Sequence, residues 1–142
     1  MAEKSLSAYV MKGMKLHWDH GTRHEDSVAV GVSDVSYYLG GNGWLELKSI
    51  NKAPVRPTTP LRMSHWTEAQ HRFTQLRRGW LLIRVLQPNR IYLLFNYRCL
   101  PPWKTQDEWT LAQMESNAVL VWRNRIQWNQ MAQAIRMADE VF

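Results

Sequence analysis

The sequence predicts an α/β domain with a mixed central sheet of at least four strands flanked by helices, and three observations carry that expectation. Two alternating stretches, "SVAVGVSDVSYYL" and "WLELKSI", surround a glycine hairpin, "GGNG". A second pair of apolar runs, "WLLIRVL" and "IYLLFNY", follows further along the chain. Segments of helical period stand before, between and after these pairs. The order reads α, β, β, α, β, β, α, α with no internal repeat, and 142 residues are enough for one domain with its own core.

The first helix is expected in "SLSAYVMKGMKLHW", where Leu6, Val10 and Met14 recur every four residues; Gly13 weakens it and it closes near Gly21. A strand is expected from Ser27 to Leu39 and its hairpin partner from Trp44. "NKAPVRPTTPLR" has three prolines in seven positions, so it reads as a stiff loop inside the domain, carrying Lys52, Arg56 and Arg62. "TEAQHRFTQLRRG" sets Ala69, Phe73 and Leu76 on one stripe, with Thr67 as N-cap and a stop at Gly79. The next two strands join through "QPNR", where Pro88 and Asn89 supply turn chemistry. After "PPWKTQDEW" a helix is expected to restart, with Thr105 and Glu108 in capping-box spacing. A closing helix from about Arg125 places Trp128, Met131, Ile135 and Ala138 on one face.

Composition narrows the function. Eighteen Lys and Arg against twelve Asp and Glu leave a formal charge of +6, which favours a polyanionic partner such as nucleic acid. Eight tryptophans could stack on bases, although the core is the expected place for most of them. The single cysteine, Cys99, excludes an internal disulfide and a cysteine zinc site, and reads as a small buried hydrophobe. No apolar run approaches the roughly 18 residues that cross a bilayer, and "MAEKSLSAYV" carries no signal core. A soluble cytoplasmic protein with no membrane partner is expected. His17, Asp19, His20 and His24 resemble a metal cluster in sequence, but Gly21 breaks any shared helical face, so solvated or DNA-facing histidines are the expectation.

Strand parity raises a sharper question. Trp44, Glu46 and Lys48 must point to one side of their strand and Leu45 and Leu47 to the other, while Val35, Tyr37 and Leu39 oppose Asp34, Ser36 and Tyr38. If the apolar faces bury together, then Asp34, Glu46 and Lys48 emerge on a common face, which needs an odd-numbered connection such as three residues around Gly41. As an alternative, a solvated hairpin face would carry such charges with no chemistry at all. Two neighbouring carboxylates repel unless a cation joins them, and Mg²⁺ takes one or two carboxylates plus phosphate oxygens. A lysine beside them could orient an attacking water or stabilise charge growing on a phosphate.

At Asp34 and "Glu46-Leu47-Lys48" the sequence resembles the PD-(D/E)XK nuclease superfamily, with Ser33 in the place of the proline. The stretch "GVSDVSYYLGGNGWLELK" is similar to small phage-encoded members and to the virus-type replication-repair nuclease and Holliday-junction resolvase branches. The resemblance spans about residues 23 to 85 and implies a restriction-endonuclease-like core and a metal-dependent DNA endonuclease. It further implies Asp34 and Glu46 as metal ligands, the Leu47 carbonyl as a third, Mg²⁺ with Mn²⁺ as substitute, and Lys48 as the charged catalytic group. Gln70 in "TEAQHRF" matches by position the glutamine of the following helix, though Thr67 and Gln70 also have capping-box spacing. Some branches carry an acid upstream of the first strand, for which Glu25 in "TRHEDS" is the candidate, with Glu3 as its alternative. Lys52, Arg56, Arg62, Arg77 and Arg78 are the expected DNA-backbone contacts, supplemented by Arg123 and Arg125. A junction resolvase would act as a homodimer, and a noncatalytic nucleic-acid-binding module is the rival from another class.

Overall fold

The structure, a computed structural model, describes residues 2–18, 20–23, 35–39, 41–63, 66–103 and 108–140. Ten elements follow in chain order: α1 (Ala2–His17), β1 (His20–Arg23), β2 (Val35–Tyr38), β3 (Asn42–Lys52), α2 (Glu68–Leu76), β4 (Trp80–Gln87), β5 (Ile91–Asn96), α3 (Leu111–Asn117), β6 (Leu120–Arg123) and α4 (Trp128–Glu140). The six strands form one mixed sheet in sequential order, β1 to β6. Only the β3–β4 pair is parallel, because α2 carries the chain back between them; every other pair is antiparallel. The expected α/β class with a mixed sheet is therefore the observed one.

Two strands lie where none was expected. His20–Arg23 pairs with β2 after α1 has ended at His17, and Leu120–Arg123 pairs with β5. Both are four-residue edge strands, "HGTR" and "LVWR", too short for a period to be read. The third helix also starts later than expected. Its cap is Thr110, whose side chain accepts from the Gln113 amide at 3.2 Å while Gln113 returns a carbonyl oxygen to the Thr110 N–H at 2.8 Å. Thr105 and most of the expected first strand, residues 27–34, lie outside the described residues.

The β2–β3 hairpin has the expected parity. Tyr38 pairs with Asn42 and Val35 with Leu45, leaving three connecting residues, 39–41. Val35, Tyr37, Leu45 and Leu47 consequently share one face with Trp80, Leu82, Tyr92, Leu94 and Trp122, and α1 and α4 cover it with Leu6, Val10, Met14, Trp128, Met131 and Ile135. Gly13 has a packing reason that its helix propensity hid: a Cβ there would fall inside the Trp128 indole. The same indole meets the Trp18 ring edge-on, and Trp18 Nε1 donates to the Trp128 carbonyl at 3.2 Å. Arg84, 4% exposed on this face, donates to the hydroxyls of Ser5 at 2.7 Å and Ser49 at 3.2 Å.

The opposite face is also closed. Leu81, Ile83, Val85, Ile91, Leu93 and Phe95 meet Ala53, Leu61, Trp66, Leu100 and Met114 there. The proline-rich loop is irregular, as expected, yet it is pinned: the Leu61 amide donates to the Trp109 carbonyl at 2.8 Å and Trp66 Nε1 to that of Pro101 at 3.0 Å. Both faces of the central strands are thus covered by apolar material, which is the setting of a buried sheet.

Candidate active site

Strand β3 supplies the two charged groups. Leu45 and Leu47 point into the α1–α4 layer, so Trp44, Glu46 and Lys48 face the other way, beside Leu81 and Ile83 of the parallel neighbour β4. Glu46 and Lys48 lie one pleat repeat apart on that face, and Lys48 Nζ stands 3.6 Å from Glu46 Oε1. The expectation that they share a face holds. The expectation that they emerge from the sheet does not, since Glu46 is 2% and Lys48 3% exposed. The apolar cluster that contains Leu61, Trp66 and Leu100 lies on this face of the sheet, which the alternation alone left to solvent.

Burial changes what the pair can do. Two opposite charges removed from water interact more strongly than at a surface, and each penalises the loss of the other. A solvated decoration of the hairpin is excluded by the same fact. The carboxylate is a hard oxygen donor of the kind Mg²⁺ takes, and the Leu47 carbonyl is the next such atom along the strand, its side chain being committed to the opposite core. Asp34 and Glu25 lie outside the described residues; Val35, bonded to Asp34, pairs with Leu45, the residue before Glu46. Among the described residues no three His, Cys, Asp or Glu side chains converge; Asp19 and His24 of the histidine-rich stretch lie outside them.

Gln70 is engaged as a cap. The Thr67 hydroxyl accepts from the Gln70 amide at 3.3 Å, and the Gln70 side-chain oxygen accepts from the Thr67 N–H at 3.4 Å, a reciprocal capping box at the start of α2. The next residue, His71, tilts against the Trp66 ring at 5.6 Å, and burial lowers its pKa below the ordinary 6.5. Cys99 is half-buried against the second core cluster, and burial pushes its thiol pKa up, which disfavours the nucleophilic thiolate.

The expected DNA contacts separate by environment. Lys52 at the end of β3 and Arg56 in the proline loop are exposed. Arg62 is exposed but lies 3.5 Å from Glu108, which discounts its charge. Arg123 is likewise held by Glu115 at 2.7 Å. Arg78 is exposed and takes a left-handed φ of 52°, the turn that ends α2. Arg77 is not the solvated flank its position suggests. Its guanidinium carbon lies 5.0 Å from the Trp44 ring centre and 5.3 Å from that of Phe73, and its Nη1 is buried without a hydrogen-bond partner among the described residues. Sequence reasoning overlooked this arrangement because Trp44 and Arg77 belong to different elements.

Two clefts formed by described residues lie on different sides of the sheet. One of about 520 Å³ runs along α2, lined by Glu68, Ala69, Arg72, Phe73 and Leu76. Another of about 330 Å³ lies between α1 and the start of α4, lined by Tyr9, His17, Arg125 and Trp128 among others. No family model, curated protein or solved structure matches this chain.

Proposed function

We propose that the chain is a metal-dependent DNA endonuclease of restriction-endonuclease-like fold, hydrolysing phosphodiester bonds at Glu46 and Lys48. The observation that carries the reading is the buried Glu46–Lys48 pair at 3.6 Å on the central strand, two residues apart in the E-X-K arrangement. A protein rarely places both signs of charge inside a sheet without a task for them, because their desolvation costs several kcal/mol per ion. The basic excess of the chain supports DNA as the partner.

The roles follow from chemistry. Glu46, the Leu47 carbonyl and Asp34 are the oxygen donors that would hold Mg²⁺ or Mn²⁺. When bound, such a cation acidifies water and draws charge from a phosphate. Lys48 keeps a fixed positive charge beside that position, so negative charge growing on the phosphoryl oxygens meets a donor needing no reorganisation. Closure of the face excludes bulk water and raises the worth of that charge, and it requires the cover to open when a phosphate enters. Lys52 and Arg56, exposed past the same strand end, would hold the backbone of the bound nucleic acid.

One observation favours a second reading. A pair only 2% and 3% exposed can serve as an internal strut of a noncatalytic nucleic-acid-binding module. Plasmid incubated with the purified protein, with and without Mg²⁺, separates the two. Metal-dependent nicking that falls about 10² to 10³-fold in Lys48→Ala is the expected result. DNA binding without nicking in any divalent cation would leave the strut. A panel of duplex, flap, junction and single-stranded substrates, run beside a solution mass, then distinguishes a dimeric resolvase from a general endonuclease.

A further inference from the structure

We infer that Arg77 is a phosphate-binding residue, held ready by Trp44 and Phe73 to grip a backbone phosphate of the DNA next to the one at Glu46 and Lys48. The inference rests on the proposed nucleic-acid function for its ligand and on independent geometry for its place.

Three features of the chain put the guanidinium there. Helix α2 ends in a tight turn: the Arg77 amide donates to the Phe73 carbonyl at 3.0 Å, Arg78 turns left-handed, and the Gly79 amide donates to the Thr74 carbonyl at 2.8 Å. Gly79 then passes close to the β3 backbone, where an added Cβ would stand 3.3 Å from the Trp44 carbonyl oxygen. That approach brings the last helical turn over Trp44. Trp44 is two residues before Glu46 on the same strand face, a separation of about 7 Å along a strand. Arg77 therefore sits over the upstream end of the face that carries the ion pair.

The side chain is anchored by rings and left short of an acceptor. Contact with two aromatic faces fixes the plane of the guanidinium and leaves its charge intact. Nη1 is one of three buried polar side-chain atoms without a partner among the described residues, beside Ser7 Oγ and Asn96 Nδ2, and it alone carries charge. A buried unsatisfied donor on a cation asks for an anionic oxygen. Phe73 also lines the cleft of about 520 Å³ along α2, with exposed Arg72 on its wall, so ligand-sized space adjoins the sandwich. A planar fork beside such a space matches the two oxygens of a phosphodiester.

The test is DNA binding in Ca²⁺, measured over a series of KCl concentrations with a short duplex and with one of its strands alone. The variants are Arg77→Met, which keeps the length of the side chain between the rings, and Arg77→Lys, which keeps the charge. Arg77→Met should weaken binding about tenfold at fixed salt and flatten the log–log salt slope by about 0.9, the value of one phosphate contact. Arg77→Lys should keep the slope and lose part of the affinity. The melting temperature of Arg77→Met should be unchanged or raised, since a buried donor without an acceptor is gone. An unchanged slope with a lowered melting temperature would make Arg77 a structural residue and overturn the proposal, as would wild-type protein that binds neither DNA form. Nicking assays on the same preparations keep the two readings apart: a flattened slope in a protein that never nicks sustains the phosphate site and removes the nuclease.

Discussion

The two faces of strand β3 receive alternate residues of one short sequence and solve different problems. The face of Leu45 and Leu47 packs against α1 and α4 through interlocking rings and aliphatic chains, and a buried ion there, Arg84, is bonded to the hydroxyls of Ser5 and Ser49. The face of Trp44, Glu46 and Lys48 is equally closed, yet it contains a buried ion pair and, at its upstream end, a guanidinium pinned over two rings. A sheet stabilised from one side can tolerate such groups on the other. The apolar face holds the strand in register, and that register holds the charges in place. Apolar helix packing and the buried ion pair are thus divided between the two sides of a single strand.

The largest effect expected from breaking this division is at Glu46. Glu46→Gln removes the carboxylate that balances a buried ammonium and should cost about 3 to 5 kcal/mol, while the paired change Glu46→Leu with Lys48→Met should be close to neutral or stabilising. Denaturant titration of the three proteins checks the contrast, and equal losses in both variants would show that the pair is not the coupled unit. The double variant also gives a folded protein in which nicking should be abolished, removing misfolding as the cause.

On the other face the corresponding test is steric. Gly13→Ala places a methyl group inside the Trp128 indole, and overpacking of this kind costs about 1 to 3 kcal/mol, against a gain of about 1 kcal/mol expected from helix propensity alone. Thermal melts decide the sign. A destabilised Gly13→Ala that nicks DNA at the wild-type rate would confirm that this face supports the fold without touching the chemistry.

The smallest effect concerns pH. Burial lowers the His71 pKa below 6.5, so the folded state prefers the neutral ring. The contribution is fully present above pH 6.5 and is lost as pH falls through the folded-state value, because the unfolded chain then binds the proton first. Stability of the wild type relative to His71→Gln, followed from pH about 8 to about 5, should decline on the acid side. A flat difference would place His71 in water rather than against Trp66.

Local pattern determined much of this molecule. Hairpin parity, the Thr67–Gln70 cap and the stripe of Trp128, Met131 and Ile135 follow from period and side-chain chemistry within a few residues, and each stands in the structure. The side of the strand to which Glu46 and Lys48 point was legible for the same reason, since alternation is a property of the strand itself. Their burial was not, because that face of the sheet is built with Leu61, Trp66 and Leu100, which are distant in sequence. The four-residue strands β1 and β6 were equally hidden: their pairing comes from the edges of β2 and β5, not from any period of their own. Trp44 and Arg77 are separated by more than thirty residues and meet only because the turn after α2 presses Gly79 against β3. Sequence determines what each element can present, and tertiary packing decides which presented groups meet and which lose their water.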